Sequence, residues 1–315
     1  MIDVIIPNYN GAALLPVCLE ALRRQTRRDF KITVVDDAST DQSVELLQTR
    51  YPEVAVLPLR KNSGLAKAIN LAIAATQHEY VVLLNNDTEA DEQWLAKLVG
   101  ALETHPECAF AASKLRLFDR RTVLHSAGDG YRGNGVPFNR GVWEVDQGQY
   151  DTSVDVFGPC AGAAAYRRTA LEALAIDGRV FDEDLFMYCE DVDLNVRARL
   201  AGMRTLFVAE AVVYHMLSAT GGGTLASYYC GRNFILVWAK NMPRAAVSKY
   251  IGSFLAQQLQ ITFSALRHIR GAAARARLRG QLAGLVALPR FVKKRRTIRQ
   301  HQQLVDAQFI ALLGK

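Results

Sequence analysis

Tyr80-Val-Val-Leu-Leu-Asn-Asn-Asp-Thr88 is the stretch that decides how this 315-residue chain folds. Five residues with apolar bodies run directly into two amides and a carboxylate, the pattern of a strand buried on both faces that surfaces at a polar site. The strand is expected to end at Asp87. Ligands of open α/β sheets bind beyond the carboxyl ends of the strands, so an acid leaving so apolar a run stands where a ligand or metal would sit. Asp87 would serve equally as the cap of a helix beginning near Asp91.

The flanking segments repeat the theme. Ile2 to Ile6 reads as a buried strand stopped by Pro7, followed by the polar turn Asn8, Tyr9, Asn10, Gly11 and a helix with Leu14, Cys18 and Leu22 on one apolar face. Lys31 to Val35 is a second strand ending in Asp36 and Asp37, and Ser39 with Gln42 forms a capping box for the next helix. Val54 to Leu57 is a third strand, after which Lys61, Asn62, Ser63 and Gly64 turn into a helix with Leu65, Ile69, Ala72 and Ile73 inward. The alternation through residue 104 predicts an α/β fold, a Rossmann-like, mostly parallel central sheet flanked by helices. No GxGxxG follows the first strand, which counts against a dinucleotide site. Instead each strand end carries a polar cluster: 7–11, 36–40, 61–64 and 85–88. One such cluster is usually a cap or a turn, but four on one sheet edge favour a ligand.

Half of the residues are hydrophobic, enough for a large core in one big domain or two smaller ones. The net charge of +7 is uneven: residues 244–315 hold 14 Lys and Arg against the single acid Asp306, a balance of +13, so the first 243 residues carry −6. A mildly acidic body with a basic tail suits an enzyme with an appended basic surface, and no nucleic-acid partner is expected. Cys18, Cys108, Cys160, Cys189 and Cys230 are odd in number and form no CxxC, which argues for reduced thiols in the cytosol and against a zinc site. A strand pattern starting at Ile2 leaves no room for a signal peptide, and no apolar run nears the roughly 18 residues of a spanning helix.

The middle of the chain is less regular. Residues 108–118 suit another strand, and the glycine-rich 119–158 is either a lid or a set of hairpins. The small residues from Gly158 to Tyr166, Gly162 among them, allow close backbone approach to a bulky ligand or tight backbone packing. Val192, Val196 and Leu200 imply a helix starting near Glu190, with Glu190, Asp191 and Asp193 in its first turn and an Asp193–Arg197 pair. That is ordinary helix electrostatics, and it is also how a general base is held ionised and oriented. After a short strand from Arg204 to Val208, the run Val212-Val-Tyr-His215 surfaces in a residue that is either structural or a metal ligand, and Gly221, Gly222 and Gly223 then supply a hinge.

With Pro7-Asn-Tyr-Asn10, Val34-Val-Asp-Asp-Ala-Ser-Thr40, Asn62-Ser-Gly64, Leu84-Asn-Asn-Asp-Thr88, Phe181 to Asp193 and His215 in family order, the chain resembles family 2 of the inverting glycosyltransferases over about residues 1–240. The resemblance implies a GT-A fold over 1–243, with a nucleotide-sugar half to about residue 110 and an acceptor half after it. It implies that Pro7, Asn8, Tyr9 and Asn10 border the base and ribose of a nucleotide-sugar donor, that Asp37 accepts from the base, and that Asn62, Gly64 and Lys67 line the donor pocket. Asn85, Asn86 and Asp87 stand at the family's DxD-type motif. Asn85 replaces the first acid, which leaves Asp87 as the metal carboxylate, with His215 as a further ligand for Mn²⁺ or Mg²⁺. Asp191 matches the catalytic base, with Glu190 or Asp193 positioning it or the acceptor, and Gly162 lies on the acceptor side.

There is no QxxRW motif and no spanning helix, so the resemblance points to transfer of single sugars, most like rhamnosyltransferase-type members that act on cell-surface glycans or polyprenyl-lipid-linked acceptors. A catalytically silent nucleotide-sugar-binding scaffold is the alternative. The tail, 244–315, reads as a basic amphipathic helical extension, with Ile251, Phe254, Leu255, Leu259, Ile261, Phe263 and Leu266 apolar and Lys293-Lys-Arg-Arg296 basic. It is expected to dock on an anionic membrane surface, which makes the protein cytoplasmic and peripheral on the inner face of the membrane. A core-packed helix with a solvated basic face, or a nucleic-acid patch, would show the same composition.

Overall fold

A computed structural model describes residues 1–152, 154–217 and 222–314. In chain order the first elements are β1 (Ile2–Asn8), α1 (Leu15–Arg23), β2 (Phe30–Asp36), α2 (Ser43–Arg50), β3 (Ala55–Pro58), α3 (Leu65–Ala75), β4 (Tyr80–Leu84), β5 (Thr88–Ala90), α4 (Trp94–Thr104) and β6 (Cys108–Leu117). Short strands follow in the glycine-rich stretch: β7 (Leu124–Ser126), β8 (Asp129–Tyr131), β9 (Pro137–Asn139) and β10 (Asp155–Val156). Next come β11 (Ala163–Arg167), α5 (Arg168–Leu174), α6 (Glu190–Leu200) and β12 (Arg204–His215), then the helices α7 (Gly223–Asn241), α8 (Arg244–Arg267), α9 (Ala272–Gln300) and α10 (Asp306–Leu312).

One compact unit comprises Met1–Asp129, Asn139–Phe186 and Arg204–Thr220. Its sheet runs β10-β12-β6-β11-β4-β1-β2-β3, with β5 added to β12 and β7 to β6. β1 pairs in parallel with β2 and β4, β2 with β3 and β12 with β6, while β11 lies antiparallel between β4 and β6. Alternate residues of the central strands, Ile2, Val4 and Ile6 with Tyr80, Val82 and Leu84, share one buried cluster with Leu15, Cys18 and Leu22 of α1 and with Trp94, Leu98 and Leu102 of α4. Full burial of a Leu or Ile side chain stabilises by about 1.5–3 kcal/mol, so this layer is what holds the strand ends in place. The indole of Trp94 donates to Ser113 Oγ at 2.8 Å, which satisfies its one polar atom inside that layer. Ala163 and Ala165 belong to the same cluster, so the small residues of β11 serve packing.

Several local expectations give way to tertiary contacts. β1 continues through Pro7 to Asn8, and β4 ends at Leu84, three residues before Asp87. The Ser39 capping box does not form: α2 begins at Ser43 after Gln42, and the Ser39 hydroxyl donates to Asp36 Oδ1 at 2.6 Å instead. Asp87 caps no helix, because β5 intervenes and α4 begins only at Trp94. The two runs Arg204 to Val208 and Val212 to His215 are one strand, β12, whose register against β6 shifts between Val208 and Val212. Of the glycine hinge, Gly221 lies outside the described residues, Gly222 is an extended N-cap and Gly223 opens α7.

The second unit comprises Gly130–Phe138, Met187–Met203 and Gly221–Lys315. Trp238 of α7 stacks on Phe254 of α8 with ring centroids 4.1 Å apart, and its indole donates to the Gly133 carbonyl at 2.9 Å. α7 and α9 touch backbone to backbone: a Cβ on Gly280 would lie 2.1 Å from the Tyr228 carbonyl oxygen, and one on Gly284 2.9 Å from that of Arg232. α8 buries Phe254 and Ala265 and leaves Leu255, Leu259, Phe263 and Leu266 exposed, Leu259 by 70 %. No helix among the described residues is long and apolar enough to cross a membrane.

Candidate active site

The four polar clusters meet, and side-chain bonds between neighbouring strand ends are the reason. Asn86 Nδ2 donates to Asn8 Oδ1 at 2.7 Å, Asn8 Nδ2 donates to Asp36 Oδ1 at 2.8 Å, and all three residues are buried. Asn10, at φ 52°, accepts from the Thr40 amide at 2.7 Å and gives its own amide to Ser39 Oγ at 2.8 Å. Asp37 receives the amides of Ser63 at 2.7 Å and Gly64 at 2.8 Å, one on each carboxylate oxygen, which ties the 61–64 turn to the end of β2. Gly64 sits at φ 88°, and a Cβ there would lie 2.5 Å from the Phe186 ring. Around this frame Pro7 is half-buried one residue before the end of β1, Tyr9 and Asn62 are exposed, and Lys67 is half-buried in the first turn of α3. Asn85 gives its amide to the Gly162 carbonyl at 2.9 Å, so those two residues are neighbours.

Asp87 is buried beside His215, with His215 Nε2 and Asp87 Oδ1 3.1 Å apart. Three residues of pairing bring them together: β5 runs antiparallel to the end of β12, with His215 opposite Thr88, and the Met216 amide bonds the Asp87 carbonyl at 2.8 Å. On its other side His215 Nδ1 lies 3.0 Å from Nδ1 of His125, on β7. Burial, then the neighbouring His215, push the His125 pKa down to about 3 against the pull of Asp87, so His125 is neutral. Cys18 lies close by, its thiol pushed up to about 12 chiefly by burial, and so stays protonated.

In the second unit, α6 opens with Glu190 and Asp191 after a turn in which Tyr188 and Cys189 both take positive φ. Buried Asn233 of α7 donates to the carbonyls of Met187 at 3.0 Å and Tyr188 at 2.7 Å, which fixes that turn. Asp193 is fully buried and pairs with Lys240 at 2.7 Å and Arg197 at 2.9 Å, and Asn241 donates to it at 2.7 Å. Asp191 is half-buried and accepts from the Val192 amide. Glu190 is buried, its Oε2 has no hydrogen-bond partner among the described residues, and desolvation together with the Asp191 charge raises its pKa well above 4.5. Sequence reasoning missed His125, Asn233 and Lys240, whose meaning depends on partners 45 to 90 positions away.

The description Glycosyl transferase family 2 matches residues 3–175. The chain is 30 % identical over 124 residues to the amylovoran biosynthesis glycosyltransferase AmsE of Erwinia amylovora, a match covering 38 % of this chain and 47 % of that protein. It is 26 % identical over 251 residues to the N-acetylglucosaminyl-diphospho-decaprenol L-rhamnosyltransferase of Mycobacterium tuberculosis, covering 72 % and 80 %. The chain spans less than half the length of several of the curated relatives it matches. The solved structure of GalNAc-T7 with UDP, GalNAc and Mn²⁺ superposes with a TM-score of 0.63 at 16 % identity, covering 79 % of this chain and 49 % of that one. This likeness is one of fold, and the fold is of the GT-A type.

Proposed function

The chain belongs to glycosyl transferase family 2, and from that premise we propose that it moves a single sugar, with inversion, from a nucleoside diphosphate sugar to a cell-surface glycan or polyprenyl-lipid-linked acceptor. The observation that carries this reading is the bonding of Asn8, Asp36, Asp37, Gly64 and Asn86 across the strand ends, at the edge where open α/β sheets take ligands. Pro7, Asn8, Tyr9 and Asn10 border the base and ribose, and Asp37 receives the base or shapes its pocket through the 61–64 turn, with Asn62, Gly64 and Lys67 lining it. Asn85 and Asn86 frame the diphosphate side, and Gly162 opens the acceptor side.

Asp87 and His215 fit a divalent cation. Their facing atoms, Asp87 Oδ1 and His215 Nε2, lie 3.1 Å apart and would hold it. An oxygen with an imidazole nitrogen suits Mn²⁺, and Mg²⁺ is the alternative. When bound, the cation supplies neutralisation of the charge that grows on the leaving diphosphate. Asp191 takes the proton of the acceptor hydroxyl while its oxygen bonds the anomeric carbon and the bond to the diphosphate breaks, so one base suffices. Asp193 anchors the first turn of α6 through Lys240 and Arg197 and thereby positions Asp191, and Glu190 sets the polarity beside it.

The similarity to a rhamnosyltransferase over 80 % of its length favours dTDP-rhamnose as donor, with a UDP-hexose next. The exposed row on α8, with Arg267, Arg270 and the Lys293–Arg296 cluster, suits docking on the anionic inner face of the cytoplasmic membrane. Calorimetric titration with UDP, dTDP and GDP, with and without Mn²⁺, tests the donor assignment. Metal-dependent preference for dTDP supports a deoxysugar donor, preference for UDP a hexose, and binding of none of the three would sink the donor site.

A further inference from the structure

We propose that His125 is the positioning residue of the cation site, holding His215 in the tautomer whose Nε2 lone pair is open to a cation shared with Asp87. The inference rests on Asp87 and His215 being the cation ligands. A neutral imidazole has one N–H and one lone pair, so a histidine that gives Nε2 to a cation must carry its proton on Nδ1 and needs an acceptor for it. His215 is buried, and the atom 3.0 Å from its Nδ1 is Nδ1 of His125. Carboxylates, backbone carbonyls and waters are the usual acceptors behind a ligating histidine, and here a second imidazole stands in their place.

The same contact serves the cation-free state with the bond reversed. His215 then donates Nε2–H to Asp87 across the 3.1 Å gap and accepts at Nδ1 from Nδ1–H of His125. With a cation held at Nε2 of His215, that nitrogen would have released its proton to solvent, the shared proton would sit on Nδ1 of His215, and His125 would carry a proton taken from solvent at its own Nε2. The pair of rings holds two protons before and after, so none is gained or lost overall. His125 is therefore needed by both states, whereas a carboxylate could only accept.

The test is titration of the full chain with Mn²⁺, alone and with UDP, following free Mn²⁺ by its EPR signal. His125→Leu is expected to weaken binding about 10–100-fold, the usual effect of removing a partner behind a metal ligand. His125→Asn, whose side-chain oxygen can take the place of Nδ1, recovers most of the loss. Parent-like affinity in His125→Leu, with Asp87→Asn and His215→Ala both weakened, overturns this inference and leaves the cation site standing. Parent-like affinity in Asp87→Asn and His215→Ala, or no binding by the parent chain, overturns the cation site and this inference with it. Nitrogen NMR of the unsubstituted chain gives an answer independent of any variant's folding. On saturation with Mg²⁺ the His125 proton moves from Nδ1 to Nε2, and an unchanged tautomer overturns the proposal.

Discussion

Lys240 and Asp193 meet at 2.7 Å with neither side chain reaching solvent, and Arg197 holds the other carboxylate oxygen at 2.9 Å. Buried charges are tolerated only when paired, and removing one partner of such a pair typically costs 3–5 kcal/mol. Lys240→Met leaves Asp193 with Arg197 and Asn241, so a loss of about 3 kcal/mol is expected in urea unfolding. Adding Asp193→Leu should return part of that loss, and a purely additive double variant would show that the pair is not coupled.

Glu190 makes the opposite prediction. An acid whose folded pKa lies above its unfolded one binds a proton on folding, so stability falls as pH rises from its ordinary 4.5 toward the folded value. Glu190→Gln removes that slope. The variant should match the parent near pH 4.5 and melt at a higher temperature than the parent at pH 8. Parallel melting curves for the two proteins across that range would contradict the assigned state of Glu190.

Asp191→Asn tests the base. Loss of a general base lowers the rate about 10²–10⁴-fold. Nucleotide affinity in calorimetry should stay at the parent value, because Asp191 takes only the acceptor's proton. Near-parental turnover would remove Asp191 from the mechanism.

Gly64→Ala puts a Cβ 2.5 Å from the Phe186 ring at a φ of 88°. Strain of about 1–3 kcal/mol is expected, and it falls on the turn whose amides bind Asp37. Both the melting temperature and nucleotide affinity should drop. A loss of stability with unchanged affinity would separate that turn from the donor pocket.

Leu259→Glu combined with Phe263→Glu changes two exposed positions of α8, so folding should be unaffected. Retention on liposomes containing anionic lipid, measured at low salt, should fall sharply. Equal retention of variant and parent would mean that the apolar row does not touch the bilayer.

The central strands were legible because fully buried runs such as Tyr80–Leu84 and Ile2 to Ile6 admit few other readings. So were the polar clusters that follow them, because polar residues after such runs have few places to go, although β1 runs on to Asn8 and β4 stops at Leu84. Ser39 was misread because a hydroxyl near a helix start has competing partners, and here Asp36 and Asn8 bind it more closely than the helix does. β5 escaped because three residues carry no period, yet it is the element that sets Asp87 beside His215. His125 lies in an equally short strand, and nothing local marks it as the partner of a histidine 90 positions later. On α8 the apolar spacing was visible, but which apolar residues are covered depends on Trp238, which takes Phe254 and leaves Leu255 outside.

The glycine seam between α7 and α9 leaves those helices one alignment. Slipping α9 by a turn in one direction would press the methyl of Ala276 into the place of Gly280, where even a Cβ comes within 2.1 Å of a carbonyl oxygen. A turn in the other direction would drive Leu288 into the place of Gly284, where the limit is 2.9 Å. α7 supplies Asn233 and Lys240 to the start of α6, and α9 carries Lys293–Arg296. The alignment in which α7 presents Asn233 and Lys240 to the start of α6 is therefore set by two glycines on α9.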